Sequence, residues 1–181
     1  MRYPLDHALT IAGEIPGQTW PSELRWLYQS VISSRRHLEV GVYAGRSLFM
    51  ASHGMLTGEI IGVDARVEDS RGIPPRFLKE VTNVVLGHCN PAVKVQILEC
   101  TSSEAAKKVH STFDSVFIDA GHEHEAVLTD ISLWAPRVKS GGFICGHDYW
   151  PNHWGVMEAV QQYFRGSHEV VSDTRIWFQR L

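Results

Sequence analysis

The chain has 181 residues, of which 44% are hydrophobic and 20% charged, a composition typical of one globular domain with a single core. Its formal net charge of −3 at pH 7, without a cluster of Lys and Arg, argues against nucleic acid as a partner. No stretch approaches the length of a membrane span, and Asp6 and His7 interrupt any apolar signal segment. Together with three cysteines in no metal-type spacing, these features predict a cytoplasmic protein without a membrane partner.

An alternation of strands and helices runs along the chain and predicts an α/β fold. Pro21 and Ser22 are a helix start signal, and apolar residues follow at helical spacing, so a helix is expected before the first strand. Because helical patterns separate the strands, we expect parallel pairing through right-handed crossovers. The five predicted strands are His37–Val40, Glu59–Val63, Val93–Leu98, Ser115–Ile118 and Phe143–Gly146.

Helical and turn patterns fill the rest of the chain. One helix is predicted from about Arg46 to Gly54, a second between residues 123 and 135, and a third closing at Gly166. The final segment EVVSDTRIWFQRL is typical of two strands around a turn at residues 172–174. This pair is expected to end the sheet in antiparallel fashion.

A glycine-rich turn follows the first strand, in the sequence HLEVGVYAGRS. Gly41 and Gly45 let the backbone approach a ligand closely. Asp64 ends the next strand, 19 residues after Gly45, which is near the spacing at which an acid reaches a ribose. Tyr43 lies within the turn, which departs from GxGxxG and offers a pyrophosphate less bare backbone. The pattern favours a nucleoside-like ligand without a pyrophosphate; a turn that serves packing alone is the alternative.

The stretch DSVFIDAGHEHE places Asp119 at the predicted end of a buried strand and His122 in the turn behind it. Ligands of open α/β sheets bind outside the carboxyl ends of the strands, so this acid and imidazole are well placed for chemistry. His122 is a candidate proton acceptor, with a backbone-bonding helix-start residue as the alternative. His124 would point away from it and is expected to be a solvated surface residue.

Five segments in this order and spacing resemble the class I S-adenosylmethionine-dependent methyltransferases: LEVGVYAGRS, GVDA, ILECTSSEA, FIDAGH and GGFICGHDY. The likeness is strongest to metal-dependent O-methyltransferases of the catechol O-methyltransferase type and to relatives such as macrocin O-methyltransferase. It implies a Rossmann-like, doubly wound seven-stranded sheet, mostly parallel with an antiparallel last strand, and helices on both faces. It also implies one domain, 1–181, with an N-terminal segment (1–34), a cofactor-binding core (35–166) and a strand pair (167–181).

The resemblance implies a binding site for S-adenosylmethionine. In that site Asp64 would hold the ribose, Ser102 would lie near the adenine, and Asp119 would face both the cofactor and a metal. The remaining cofactor-binding residues are expected in the glycine-rich turn and the helix that follows it: Glu39, Gly41, Tyr43, Gly45 and Ser47.

The resemblance also implies a divalent ion held by Asp119, His147 and Asp148. Because adjacent residues of an extended strand point in opposite directions, the last two can face one ion only if the chain turns there, and Gly146 makes such a turn sterically possible. The catechol-type enzymes carry Asp followed by Asn at this pair, whereas the present chain has an imidazole. Mn²⁺, Fe²⁺ or Zn²⁺ tolerate such a ligand better than Mg²⁺, and a site without metal stays open. His122 falls where those enzymes carry a catalytic lysine, so His122 and Asp119 are the expected catalytic residues.

The predicted reaction is methyl transfer to a hydroxyl of a sugar or small natural product. Two alternatives remain: a metal-dependent hydrolase built on the His/Asp cluster, which leaves Asp64 without a role, and a nucleoside-binding module without turnover. Trp150, His153 and Trp154 either line the substrate mouth or pack the last helix. The sequence does not identify the acceptor, and it leaves a homo-oligomer open.

Overall fold

The computed structural model describes residues 1–67 and 72–181. Within these residues the chain forms one seven-stranded sheet with helices around it. The strands are β1 (Arg36–Val40), β2 (Gly58–Val63), β3 (Val93–Leu98), β4 (Phe113–Ile118), β5 (Val138–Gly146), β6 (Glu169–Val170) and β7 (Trp177–Arg180). The α-helices are α1 (Leu5–Glu14), α2 (Pro21–Ser30), α3 (Arg46–Gly54), α4 (Pro75–Gly87), α5 (Ser102–Lys108), α6 (His124–Trp134) and α7 (Trp154–Phe164). Short 3-10 helices span Ala135–Arg137 and Pro151–His153.

The strand order is β3-β2-β1-β4-β5-β7-β6, and β1 to β5 pair in parallel while β7 runs antiparallel to both of its neighbours. The predicted fold class is therefore confirmed, including the antiparallel last strand. β5 begins five residues earlier than expected. Its first part contains Gly141 and Gly142, which suggest a turn in the sequence but lie in the strand beside a register shift against β4.

Helices cover both faces of the sheet. On one face, residues of α5, α6 and α7 pack against Leu38 and Val116 of the central strands. On the other face, residues of α2 and α3 pack against Ile60 and Phe117. Central strands buried from both sides explain the short, nearly continuous apolar runs of the sequence. None of the helices in the described part of the chain is long and apolar enough to cross a membrane.

Three helices, α1, α4 and α5, were not predicted from the sequence. In α1, Ala8 and Ala12 are fully buried in a cluster that also contains Phe49 and Met50 of α3. Proline at the start of α4 and a capping box between Thr101 and Glu104 at the start of α5 are local signals that could have revealed the other two.

A buried polar cluster lies beneath α2 and α3, on the side of β1 that faces these helices. The Nδ1 atom of His37 lies 2.8 Å from the hydroxyl of Ser115, which lies 2.9 Å from the hydroxyl of Ser34. Burial lowers the pKa of His37 to about 3. The imidazole is therefore neutral in the fold, and an acid medium favours the unfolded chain, where it can take up a proton.

We expect His37 to make the fold acid-sensitive. Its pKa is lower in the fold than the ordinary 6.5, so stability is complete above pH 6.5 and is lost as the pH falls toward 3. Between pH 6.5 and 4.5 this loss is roughly 2–3 kcal/mol, at about 1.4 kcal/mol per pH unit. Urea unfolding at both pH values should show a smaller drop for His37→Leu than for the wild type. Equal drops would assign the acid sensitivity to other groups.

Candidate functional site

The carboxyl ends of β1, β2, β4 and β5 meet at a cleft with a volume of ≈ 470 Å³, a size typical of small-molecule sites. Most of the residues predicted from sequence line it. Glu39 and Gly45 are buried and do not belong to this lining set. The predicted site residues in the cleft wall are Gly41, Tyr43, Ser47, Asp64, Ser102, Asp119, His122, His147 and Asp148.

Gly41 is the point of closest backbone approach in the cleft. Its φ angle is +92°, and a Cβ atom there would lie 1.9 Å from the carbonyl oxygen of Asp119. The backbone N–H of Asp119 in turn donates to the carbonyl of Val40, at 2.7 Å. Only glycine therefore fits between the ends of β1 and β4 without displacing the backbone that carries Asp119.

Asp64 organises the glycine-rich turn. One carboxylate oxygen accepts from the N–H groups of Val42 and Tyr43, at 2.9 and 2.6 Å, and the other accepts from the N–H of Arg66 at 2.7 Å. Its side chain is still 15% exposed and lines the cleft. The carboxylate thus holds the turn from the adjacent strand, and its predicted contact with a ribose would use its remaining acceptor capacity.

Glu39 and Ser47 form a buried pair behind the cleft wall. The Ser47 hydroxyl donates to Oε1 of Glu39 at 2.9 Å, while Oε2 has no hydrogen-bond partner among the described residues. Burial, together with the nearby carboxylates of Asp119 and Asp64, raises the pKa of Glu39 well above its usual value. A fully buried carboxyl with one unsatisfied oxygen is typical of a position that serves a ligand.

Ser102 begins α5 at the edge of the cleft. Its hydroxyl accepts from the indole N–H of Trp134, at 2.8 Å, which connects α5 to α6. This contact fixes the position of the side chain that is predicted to lie near the adenine.

Asp119, His147 and Asp148 meet between the ends of β4 and β5. The Nδ1 atom of His147 lies 3.6 Å from Oδ1 of Asp119 and 3.2 Å from Oδ1 of Asp148. The turn that permits this lies at Asp148, whose φ is +58°, within the His147–Asp148 pair where the chain was expected to turn. Gly146 is still paired within β5, and the space of its missing side chain is taken by the Ile118 carbonyl and the ring of Trp177.

The electrostatics of the cluster depend on a glutamate that the sequence did not single out. The Nε2 atom of His147 lies 2.8 Å from Oε2 of Glu23, which is 0% exposed. Burial opposes a charge on His147, but the carboxylates of Asp119, Asp148 and Glu23 outweigh it and raise its pKa to about 10. Burial likewise opposes the charge of Glu23, yet the bond to His147 brings its pKa to about 2.

Arg175 links this glutamate to the rest of the site. Its guanidinium lies 3.2 Å from Glu23 and 3.3 Å from Asp148, and it packs over the ring of Trp20. No role had been assigned to this arginine, since nothing in the local sequence distinguishes it from a solvated charge. The structure thus places a cation from the β6–β7 turn beside the two acids, Glu23 and Asp148, that also contact His147.

His122 lies at the mouth of the cleft. Its Nε2 atom is 2.9 Å from Oδ2 of Asp148, and this bond raises the pKa of His122 above its usual value, against the effect of burial. The pKa of Asp148 shifts in the opposite direction. Burial alone would raise it, but the bonds to His122 and His147 hold the pKa of Asp148 well below its usual range. His124 points elsewhere and contacts Gln162 on α7, at 2.8 Å.

A strap between α1 and α2, residues 16–19, forms one wall of the cleft. Arg46 of α3 donates to the carbonyls of Ile15 and Thr19, at 2.6 and 3.2 Å, and Arg175 donates to the carbonyl of Gln18 at 2.8 Å. Two arginines from distant parts of the chain thus hold the strap at both ends.

The donor sets fit the ligands that the sequence predicts. Toward a nucleoside with a cationic sulfonium, the wall offers the bare backbone at Gly41 and the carboxylate of Asp64, and the unsatisfied Glu39 lies directly behind it. Toward a divalent ion, Asp119, His147 and Asp148 each offer one ligand atom, and these atoms lie within 4.8 Å of one another. Two carboxylates and one imidazole suit Mn²⁺, Fe²⁺ or Zn²⁺ as well as a harder cation.

Comparison with known proteins gives matches at the level of sequence and of fold. Residues 38–149 match the family model described as a methyltransferase domain. An O-methyltransferase from Bacillus cereus, solved in complex with SAH, superposes with a TM-score of 0.66 at 15% identity, covering 96% of this chain and 87% of that one. The O-methyltransferase TomG from Streptomyces achromogenes, solved with SAM, gives a TM-score of 0.65 at 14% identity and covers 96% and 87%. These structural likenesses concern the fold.

A curated relative is more similar in sequence. The uncharacterized protein R132 of Acanthamoeba polyphaga mimivirus is 27% identical over an alignment of 136 residues, and the match covers 70% of this chain. The match covers 58% of the viral protein, so the chain spans little more than half the length of that relative.

Proposed function

This chain belongs to the methyltransferase-domain family, and we propose that it methylates a hydroxyl group of a sugar or small natural product. The family match confirms the prediction of a class I S-adenosylmethionine-dependent methyltransferase. The observation that carries the proposal is the meeting of Asp119, His122 and Asp148 beside the glycine-rich turn. An acid-and-imidazole cluster next to a nucleoside site is what an oxygen nucleophile needs in order to lose its proton.

The residues that would hold the methyl donor follow from the cleft wall. Asp64 would accept from the ribose hydroxyls, Glu39 and Ser47 would face the methionine part, and the bare backbone at Gly41 would admit the ligand between β1 and β4. When bound, S-adenosylmethionine supplies an electrophilic methyl group on a sulfonium, whose C–S bond breaks as the new O–C bond forms. The strap at residues 16–19 would exclude water from one side of this site.

His122 is the proposed general base. Its Nε2–H donates to Asp148 at the cleft mouth, which leaves the lone pair of the neutral ring on Nδ1, so a hydroxyl placed within reach of Nδ1 would give its proton to the imidazole. The hydrogen bond to Asp148 would stabilise the imidazolium that results. Asp119, at the end of β4, would lie between the acceptor and the donor and favour the positive charge on the sulfonium.

Asp119, His147 and Asp148 are the proposed ligands of a divalent ion. Glu23 would accept from Nε2–H of His147 and leave Nδ1 as the ligand atom, the arrangement that commonly orients metal-binding histidines. When bound, such an ion makes an acceptor hydroxyl more acidic. The family match favours this transferase over a metal-dependent hydrolase or a nucleoside-binding module.

Replacing Asp64 by Ala should weaken S-adenosylmethionine binding by roughly 30-fold to several hundred-fold. Losing a two-point charged contact costs on the order of 2–4 kcal/mol, which gives that range. The variant also loses three hydrogen bonds to the turn that carries Gly41 and Tyr43, so the effect should lie in the upper part of it. Titration calorimetry against Glu80→Ala, an exposed acid of α4, measures the difference. An unchanged dissociation constant would contradict the assignment of Asp64.

Removing divalent ions should abolish most of the methyl transfer. Wild-type protein, radiolabelled S-adenosylmethionine and a panel of sugar and phenolic acceptors would be assayed before and after treatment with a chelator. We expect labelled product before treatment, its loss afterwards, and its return when Mg²⁺ or Mn²⁺ is added. Full activity in chelated protein that contains no metal would show that Asp119, His147 and Asp148 form a polar cluster only. Failure to label any acceptor while the cofactor binds would favour the nucleoside-binding module.

A further inference from the structure

A second group of possible metal ligands lies at the cleft mouth, on the outer side of Asp148. His122 Nε2 is 2.9 Å from Oδ2 of Asp148, and His153 Nε2 is 3.8 Å from Oδ1. The two imidazole rings lie 4.4 Å apart, and the three ligand atoms are all within 4.8 Å of one another. Two imidazoles and one carboxylate therefore lie close enough together to bind one ion.

The backbone holds these side chains together. Residues 151–153 form a short 3-10 helix, which begins where the N–H of Trp150 donates to the carbonyl of Asp148 and so returns His153 toward that residue. Gly155 then packs directly on the His122 turn, because a Cβ atom there would lie 2.6 Å from the His122 carbonyl oxygen. Only a glycine at this position lets the start of α7 come so close to the turn after β4.

The two oxygens of Asp148 have different neighbours. Oδ1 lies 3.2 Å from His147 and 3.3 Å from Arg175, whereas Oδ2 lies 2.9 Å from His122. The positive groups around Oδ1 hold the carboxylate in place, while Oδ2 faces His122 and His153 approaches from the side of Oδ1, at 3.8 Å. His122 and His153 are 43% and 30% exposed in their side chains, so an ion can reach them from solvent.

We propose that His122 Nε2, a carboxylate oxygen of Asp148 and His153 Nε2 form a second site for a borderline transition-metal ion such as Zn²⁺, with water in the open position. Two nitrogen ligands favour Zn²⁺ or Co²⁺ over Mg²⁺ and Ca²⁺, which select oxygen. The site differs in this respect from Asp119, His147 and Asp148, where carboxylate oxygens are in the majority.

Occupation of this site has a consequence for catalysis, which rests on the proposed function. An ion bound to Nε2 of His122 occupies the one lone pair of the neutral imidazole and leaves the ring proton on Nδ1, so the ring can no longer act as a general base. Zinc at the outer site should therefore inhibit methyl transfer, while Mg²⁺, which binds imidazole poorly, leaves the base free. The enzyme would then be active with Mg²⁺ and inhibited by Zn²⁺.

The binding test uses the purified full chain and Co²⁺ as a spectroscopic substitute for zinc. We expect visible absorption bands on Co²⁺ addition, displaced by Zn²⁺ and unaffected by excess Mg²⁺. His153→Ala, and His153→Gln with its similar size, should weaken Co²⁺ binding by at least about 10-fold, since losing a direct ligand costs no less than losing an outer-shell partner. His124→Ala is the matched control, because His124 contacts Glu125 and Gln162 instead of this cluster. Thermal unfolding confirms that each variant is folded.

A loss smaller than about 10-fold in both His153 variants would overturn the proposal, as would loss of the Co²⁺ bands in Asp119→Asn with His153→Ala unaffected. The inhibition is tested separately, by zinc titration of methyl transfer in wild type and His153→Ala. We expect inhibition of the wild type at zinc concentrations that leave His153→Ala active. If Co²⁺ binding follows His153 but zinc does not inhibit, the metal site stands and the role of His122 as base is wrong.

Discussion

His122→Gln is expected to lower kcat for methyl transfer by roughly 10²–10⁴-fold and to leave cofactor affinity nearly unchanged. The glutamine keeps a polar side chain at the mouth of the cleft but cannot take up a proton. The cofactor-binding wall at β1 and β2 has no contact with this side chain among the hydrogen bonds of the site, so the dissociation constant should not follow the rate. Single-turnover rates and calorimetry on the same preparation separate the two effects.

The pH profile gives an independent check of the same residue. His122 must be neutral to accept a proton, so the rate should rise with pH through its pKa. Because the hydrogen bond to Asp148 raises that pKa, the ascending limb should lie above the ordinary 6.5 and should be absent in His122→Gln. His124→Gln should keep the wild-type profile, because His124 is only two residues away in sequence but is bonded to Gln162. Wild-type turnover in His122→Gln would leave proton removal to the metal site alone.

Local patterns carried most of what could be predicted from the sequence. A buried parallel strand is a short apolar run, and whatever follows it lies at the carboxyl edge of the sheet. That rule alone places Asp64, Asp119 and Asp148 near one another, and all three line the cleft. The role of Gly41 could also be predicted from the sequence, because a ligand-facing strand-to-helix turn needs a residue without Cβ.

Long-range contacts account for what was missed. Glu23 and Arg175 are separated by 152 positions, and neither carries a local signal of its partner. Glu23 occupies the third position of α2, where its bond to the Trp20 N–H is ordinary helix capping. Only the packing of α2 against the ends of β5 and β7 turns a capping glutamate into the buried partner of His147.

Glu23→Ala is expected to destabilise the fold by about 3–5 kcal/mol, the usual cost of removing one partner from a buried ion pair. The carboxylate is fully buried between His147 and Arg175, so its loss removes one of the two acids that these positive groups share and leaves Asp148 as the other. For a chain of this size that cost corresponds to a fall in Tm of roughly 6–20 °C. The strap should loosen as well, because Arg175 holds both Glu23 and the carbonyl of Gln18.

The matched control for this variant is Asp6→Ala, which breaks an exposed ion pair with Arg25 and should cost less than about 1 kcal/mol. In chelated protein the effect of Glu23→Ala should also depend on pH. The pKa of Glu23 falls from 4.5 to about 2 in the fold, so its contribution is present above pH 4.5 and is lost as the pH falls toward 2. The pKa of His147 rises from 6.5 to about 10, so its contribution is present below pH 6.5 and is lost as the pH rises toward 10. Urea unfolding should therefore show the largest difference between wild type and variant from about pH 4.5 to 6.5, and a difference that is equal at pH 5.5 and pH 10 would contradict a charged Glu23–His147 pair.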